Sequence, residues 1–122
     1  MNARFTTRQD VLVRTSDGHN MLLEETIECV TEYGQCFRAP IGTIVDVPKE
    51  SCDWWLAAII HGAAYNMCLE ELTNGEWMPA NITREFADEL FNALMQSIGV
   101  NDATRFAIYK SARDDGQEAW ER

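Results

Sequence analysis

Residues 55–67, WLAAIIHGAAYNM, constrain this chain more than any other stretch. Trp55, Leu56, Ile59, Ile60, Ala63, Ala64 and Met67 recur at helical spacing, and apolar side chains cover most of the circumference. A helix that is greasy nearly all round has no face to offer water, so it must lie at the centre of the fold. Ser51 is placed to cap it, Asp53 sits at its positive end, and the apolar spacing continues to Leu72. The expected helix therefore spans about 51–72 and ends in the loop from Thr73 to Pro79.

Around that centre the chain divides in two. The first part reads as strands between about 10 and 47. Val11 to Thr15 is β-rich and stops at Ser16-Asp17-Gly18-His19, where Asp-Gly supplies the positive φ angles of a tight hairpin turn. Residues 20–31 alternate well enough for a strand, although Leu23, Ile27 and Val30 also fit a helix. Strand is favoured because Thr, Ile, Cys and Val crowd the run and Gly34 closes it. Gln35 to Arg38 and Thr43 to Val47 are two further short strands, separated by Ala39-Pro40-Ile41-Gly42.

The second part reads as helices. Thr83 caps a helix over about 83–98 with Phe86, Leu90, Leu94 and Ile98 inward and Gly99 as its stop. Asn101 or Asp102 opens another over about 102–113, with Ala103, Phe106 and Ala107 toward the core and Asp114-Asp115-Gly116 closing it. Strands followed by helices predict a single α+β domain over 1–122, a small antiparallel sheet packed on about three helices.

The totals restrict function. Twenty acidic against ten basic residues give a net charge of −10. Such a chain is a poor ligand for nucleic acid, which needs cations at each phosphate, and for anionic membrane surfaces. A basic protein surface or a metal ion remains compatible with it. No apolar run approaches the length of a membrane span, and MNARFTTRQD lacks an apolar signal core, which points to the cytoplasm. Cys29, Cys36, Cys52 and Cys68 contain no C-x-x-C pair, so they read as small apolar side chains rather than zinc ligands.

Helical spacing places His61 beside the main apolar stripe of the central helix, in line with Trp54, Ala57, Ala58, Tyr65 and Cys68. Arg84, Asp88, Phe91 and Met95 form the matching margin of the following helix. A His61–Asp88 contact follows, serving as a structural hydrogen bond, a proton relay or two ligands of a metal.

The order of motifs also resembles that of a phage- and prophage-associated family named domain of unknown function 1353. The residues that carry the likeness are Ala39-Pro40-Ile41-Gly42-Thr43-Ile44-Val45-Asp46, then His61-Gly62-Ala63-Ala64-Tyr65. Thr83-Arg84-Glu85-Phe86-Ala87-Asp88-Glu89-Leu90-Phe91, Tyr109-Lys110-Ser111-Ala112-Arg113 and Gly116 to Trp120 follow, so about 35–120 is covered. The family's pattern has an aspartate after the histidine, where this chain has Gly62, and the stretch between Tyr65 and Thr83 is longer than in the pattern.

The resemblance implies a small phage accessory protein in the host bacterial cytoplasm or on the virion. The favoured function is protein–protein binding, as a host-takeover or anti-defence factor or a tail-associated component, with no cofactor. Its partner would be a protein, such as the basic surface of a host nucleic-acid-handling protein. Candidate binding residues are Glu24, Glu28 and Glu32, which project from one face if the run is a strand and lie about 13 Å apart, together with Trp77, Arg84, Tyr109 and Arg113. Trp77 and Trp120 are natural interface anchors. The alternative is a small hydrolase that holds a divalent metal with Asp46, His61 and Asp88, the same three residues being its catalytic group.

Overall fold

A computed structural model describes residues 1–7, 13–16, 20–46 and 54–121 of the chain. The expected Asp17-Gly18 turn, the Ser51 cap, Cys52 and Asp53 lie outside the described residues.

The architecture is α+β. A five-stranded antiparallel sheet runs in the order β1 (Ala3–Phe5), β4 (Ile27–Thr31), β5 (Cys36–Ala39), β7 (Glu70–Thr73) and β8 (Glu76–Pro79). A three-stranded sheet joins β2 (Val13–Ser16), β3 (Asn20–Leu23) and β6 (Ile44–Asp46). Helices α1 (Trp55–Tyr65), α2 (Arg84–Ser97), α3 (Asp102–Asp115) and the single turn α4 (Gln117–Trp120) complete it.

The apolar run behaves as its composition requires. Leu56, Ala57, Ala58, Ile59, Ile60, Ala63 and Ala64 of α1 are all buried, and α1 packs on β5, β6 and α2. Burial of those side chains against Ile27, Phe37, Leu90 and Leu94 removes apolar surface from water at about 25 cal/mol per Å² and is the main force holding sheet to helices. Helix α2 shows the amphipathic pattern: Thr83 caps it by accepting from the Phe86 backbone N–H at 3.1 Å, and Ala87, Leu90, Phe91 and Leu94 are buried.

The structure differs from the sequence reading in several places: β1 lies before the expected strands and α4 after the last expected helix, and the remaining differences have local reasons. Helix α1 stops at Tyr65, not Leu72. Cys68 N–H reaches the Ala63 carbonyl and Met67 N–H the Ala64 carbonyl, which is a Schellman ending. Its left-handed position is filled by Met67 at φ 59°, so no glycine marks the stop. The released chain then forms the hairpin β7–β8 instead of a loop, turning on Asn74 and Gly75 at φ 53° and 82°. Those angles suit a type I′ turn, for which Asn-Gly is the preferred pair.

Residues 20–31 form two strands rather than one. A bend at 24–26 passes the chain from the small sheet to the large one, and Leu23 and Ile27 flank it, both fully buried.

Helix α3 presents a different face from the one expected. Ala103, Phe106 and Ala107 are exposed, Phe106 at 67%. The helix turns Ile108 to the core instead and is held further by polar groups. Arg105 donates to the Asn92 side chain at 3.2 Å, and Arg84 of α2 donates to the Ala112 and Arg113 carbonyls at 3.0 Å each. Those carbonyls are among the last of α3, the negative end of the helix dipole, where a cation is favoured, and the Ala112 carbonyl also accepts from the Gly116 N–H.

Candidate functional site

The centre of the polar architecture is Asp88. Four residues after Arg84 on α2, it falls on the margin between the apolar stripe and α3, and its side chain is completely buried. Burying a carboxylate is expensive unless its lone pairs are satisfied. Here Oδ1 accepts from His61 Nε2 and from the Tyr65 hydroxyl, both at 2.7 Å. Oδ2 accepts from Arg113 at 2.7 Å, with Arg84 at 3.9 Å. One acidic side chain on α2 thus ties α1 to α3.

Electrostatics settle its protonation. Burial pushes the carboxyl up, but the hydrogen bonds from His61, Tyr65 and Arg113 outweigh it and hold Asp88 below its ordinary range. The Tyr65 hydroxyl moves the other way, up to about 12, because it is desolvated and donates to that carboxylate. An ionised carboxylate has no proton to give, so Nε2 of His61 carries the shared proton. Nδ1 is left without a hydrogen-bond partner among the described residues, and it is not sealed from solvent.

The imidazole is held by packing as well. It stacks on Phe91 with ring centroids 4.3 Å apart and planes at 23°, and Tyr65 lies 4.4 Å away on α1. Trp120 of α4 meets Tyr65 edge-on at 5.1 Å, which places this aromatic in the wall of the cluster. Beside the cluster a groove of about 470 Å³ separates α1 from α3, lined by Trp54, Ala58, His61 and Gly62 on one side. Phe91, Ala107, Ile108, Ser111 and Ala112 complete the lining.

The expected site residues separate into two places. His61, Asp88, Arg84 and Arg113 meet in the cluster, while Tyr109 is half-buried on α3 and its side chain makes no hydrogen bond among the described residues. Asp46 ends β6 opposite Asn20, and its side chain is outside what the structure describes. The β6 backbone does approach α1: a Cβ added at Gly62 would lie 3.1 Å from Val45 Cγ1. The aspartate that the resemblance places there would crowd Val45.

His61 Nε2 and Asp88 Oδ1 are bonded to each other, so these two atoms do not jointly ligate a metal in this arrangement. No group of three His, Cys, Asp or Glu converges as metal donors among the described residues.

Of the acidic candidates only Glu28 lies in a strand, so they do not form the expected row. Glu24 belongs to the bend, outside any strand. Glu28 is half-buried on β4 opposite Arg38, and Glu32 accepts from the Asn2 backbone N–H at 2.9 Å. Trp77 sits on β8 under the Arg38 guanidinium, 4.4 Å from its ring centroid, while Arg38 also donates to Glu70 at 2.7 Å. Tyr65 is the cluster member that the list of candidates missed, although its place four residues after His61 on one helix face was the available signal. Comparisons with family models, curated proteins and solved structures found no match to this chain.

Proposed function

We propose that this chain is a small acidic accessory protein that acts by binding another protein through the β7–β8 hairpin. The hairpin carries the reading. It forms the free edge of the large sheet; one of its faces exposes Met78 beside Glu71 and Glu76, neither of which has an ion pair among the described residues, and the opposite face exposes Leu72. An exposed apolar side chain flanked by unpaired acids suits a partner segment that is apolar with basic flanks. Trp77 stiffens the hairpin against Arg38 and does not stand free as an anchor.

The order of motifs from Ala39 to Trp120 supports placing the protein among phage accessory factors of the host cytoplasm or virion. A basic surface of a host nucleic-acid-handling protein matches the charge. The reading requires no cofactor, no direct contact with nucleic acid and no membrane anchor. No helix among the described residues is long and apolar enough to cross a membrane. Against the metal-hydrolase alternative stands the Asp88 carboxylate, whose two oxygens already hold four protein groups.

The test is capture from bacterial lysate with the wild type and with Glu71→Lys/Glu76→Lys/Met78→Asp, both shown to melt alike. The expected result is a partner retained by the wild type, weakened by raised salt and lost by the triple variant. Identical capture by both proteins would refute the hairpin as the contact surface.

A further inference from the structure

We propose that the β8 edge takes an extended segment of the partner protein as an added antiparallel strand, and that this segment alternates apolar and basic residues. The inference rests on the hairpin reading and specifies what the hairpin binds and how.

The direction of the backbone groups comes first. In an antiparallel ladder, hydrogen-bonded pairs alternate with pairs whose N–H and C=O point away from each other. Ala80 N–H donates to the Leu69 carbonyl at 2.9 Å, which makes 69 and 80 a bonded pair. With Glu70 opposite Pro79 and Leu72 opposite Trp77, positions 79 and 77 then turn their groups away from β7. Strand β8 ends the sheet, so those groups face a side where no further strand lies among the described residues. The edge therefore offers the Trp77 N–H and the carbonyls of Trp77 and Pro79. Proline has no N–H, so it closes this short edge and limits an added strand to a few residues.

Side chains set the pattern of the segment. In an added antiparallel strand, the residue opposite Trp77 takes both of its backbone bonds and shares its face of the sheet. That face carries Leu72 and the Trp77 ring, and its cation, Arg38, is already paired with Glu70. An apolar residue is matched there. The neighbouring residues of the segment point to the other face, where one of them lies opposite Glu76 and another opposite Met78. Glu71 lies beyond Met78, two strand spacings or about 10 Å away, within reach of a lysine or arginine. Neither acid has an ion pair among the described residues, so cations are favoured on this face. The two alternations are locked together: apolar residues of the segment turn their N–H toward β8, and basic residues turn theirs away. A second copy of this chain is a poor occupant, because pairing β8 with its twin gathers Glu71 and Glu76 of both copies on one face.

The probe is acetyl-Lys-Val-Lys-Val-Lys-amide, titrated into the full chain and followed by amide chemical shifts. Saturable shifts are expected along β8, and hydrogen exchange at the Trp77 amide should slow by about tenfold at saturation, while that at Met78, already bonded to Glu71, should not change. Methylating both valine backbone nitrogens blocks the two donors that reach β8 and should weaken binding by about thirtyfold, the loss of two hydrogen bonds. Methylating the lysine backbone nitrogens, which point away, should weaken it by less than about threefold. Glu71→Lys/Glu76→Lys/Met78→Asp, melting like the wild type, should bind none of the peptides. Equal affinities for the two methylated peptides, a greater loss on lysine methylation, or no saturable shift would overturn the added strand. If both methylated peptides bind the wild type equally and the triple variant binds neither, the hairpin remains the contact surface and only strand pairing is refuted. If the triple variant binds all the peptides as the wild type does, the hairpin reading itself fails.

Discussion

Replacing Asp88 by asparagine changes one oxygen to an amide nitrogen in a site with no exposure at all. The amide can accept through only one side. If its oxygen faces Arg113, its NH₂ faces His61 and Tyr65, where the tyrosine hydroxyl can rotate to accept and the imidazole can move its proton to Nδ1. That arrangement costs least, yet it removes the anion that Arg113 meets at 2.7 Å and Arg84 at 3.9 Å. Hydrogen bonds to charged groups contribute about 1.5–3 kcal/mol each, and leaving a buried cation without its partner costs about 3–5 kcal/mol. A loss of about 3 kcal/mol is expected, because Arg113 retains Glu85 and Arg84 retains two α3 carbonyls. For a domain of this length, that corresponds to a fall of about 12 °C in Tm. Calorimetry or thermal circular dichroism measures it directly. Asp102→Asn is the control: it also removes an arginine's carboxylate, but at a side chain 95% exposed, and should shift Tm by no more than about 2 °C. If Asp88→Asn melts within about 4 °C of the wild type, the cluster is not what ties the three helices together.

Other outcomes follow from the same geometry. The depressed Asp88 carboxyl contributes stability that is complete above the unfolded carboxyl value, about 3.9, and is lost as pH falls through the lower folded value. The gap in stability between wild type and Asp88→Asn should therefore be flat from about pH 7 to 5 and narrow below about pH 4, as read by urea unfolding at each pH. Gly62→Asp, which installs the residue of the resembled family, should cost about 1–3 kcal/mol by crowding Val45. Val45→Ala should recover much of that loss, so a double-mutant cycle by urea unfolding showing strict additivity would dismiss the crowding. The Cys29 thiol, pushed up to about 12 mainly by burial, should stay inert in the native state. Titration with a disulfide reagent should thus give the same native thiol count for wild type and Cys29→Ala, the two differing only after denaturation.

Much of this fold was legible because local signals and tertiary demands agreed. The apolar circumference around Ile59 and Ile60 forced a buried helix, Thr83 and Gly99 bounded the next one, and α+β order followed from strands preceding helices. The pairing of His61 with Asp88 was also legible, since each sits on a helix margin and two marginal polar groups can satisfy one another. The Asn74-Gly75 hairpin was written in the chain as plainly as any turn, but an overextended helix hid it.

The rest depended on the folded chain. Met67 in a left-handed cap ends α1 without a glycine, because the carbonyls of Ala63 and Ala64 gain partners only when the chain turns there. The face that α3 turns inward carries Ile108 and is fixed by Arg84, Arg105 and Arg113, not by Ala103 and Phe106. Hydrophobic periodicity reports which side chains avoid water, whereas this helix is docked by ions whose partners lie ten or more positions away in the sequence. Sequence alone therefore determined the α+β order, the central and second helices and the pairing of His61 with the buried carboxylate. Tertiary structure alone decided that its four partners converge on it and that an aromatic groove opens beside the histidine it holds.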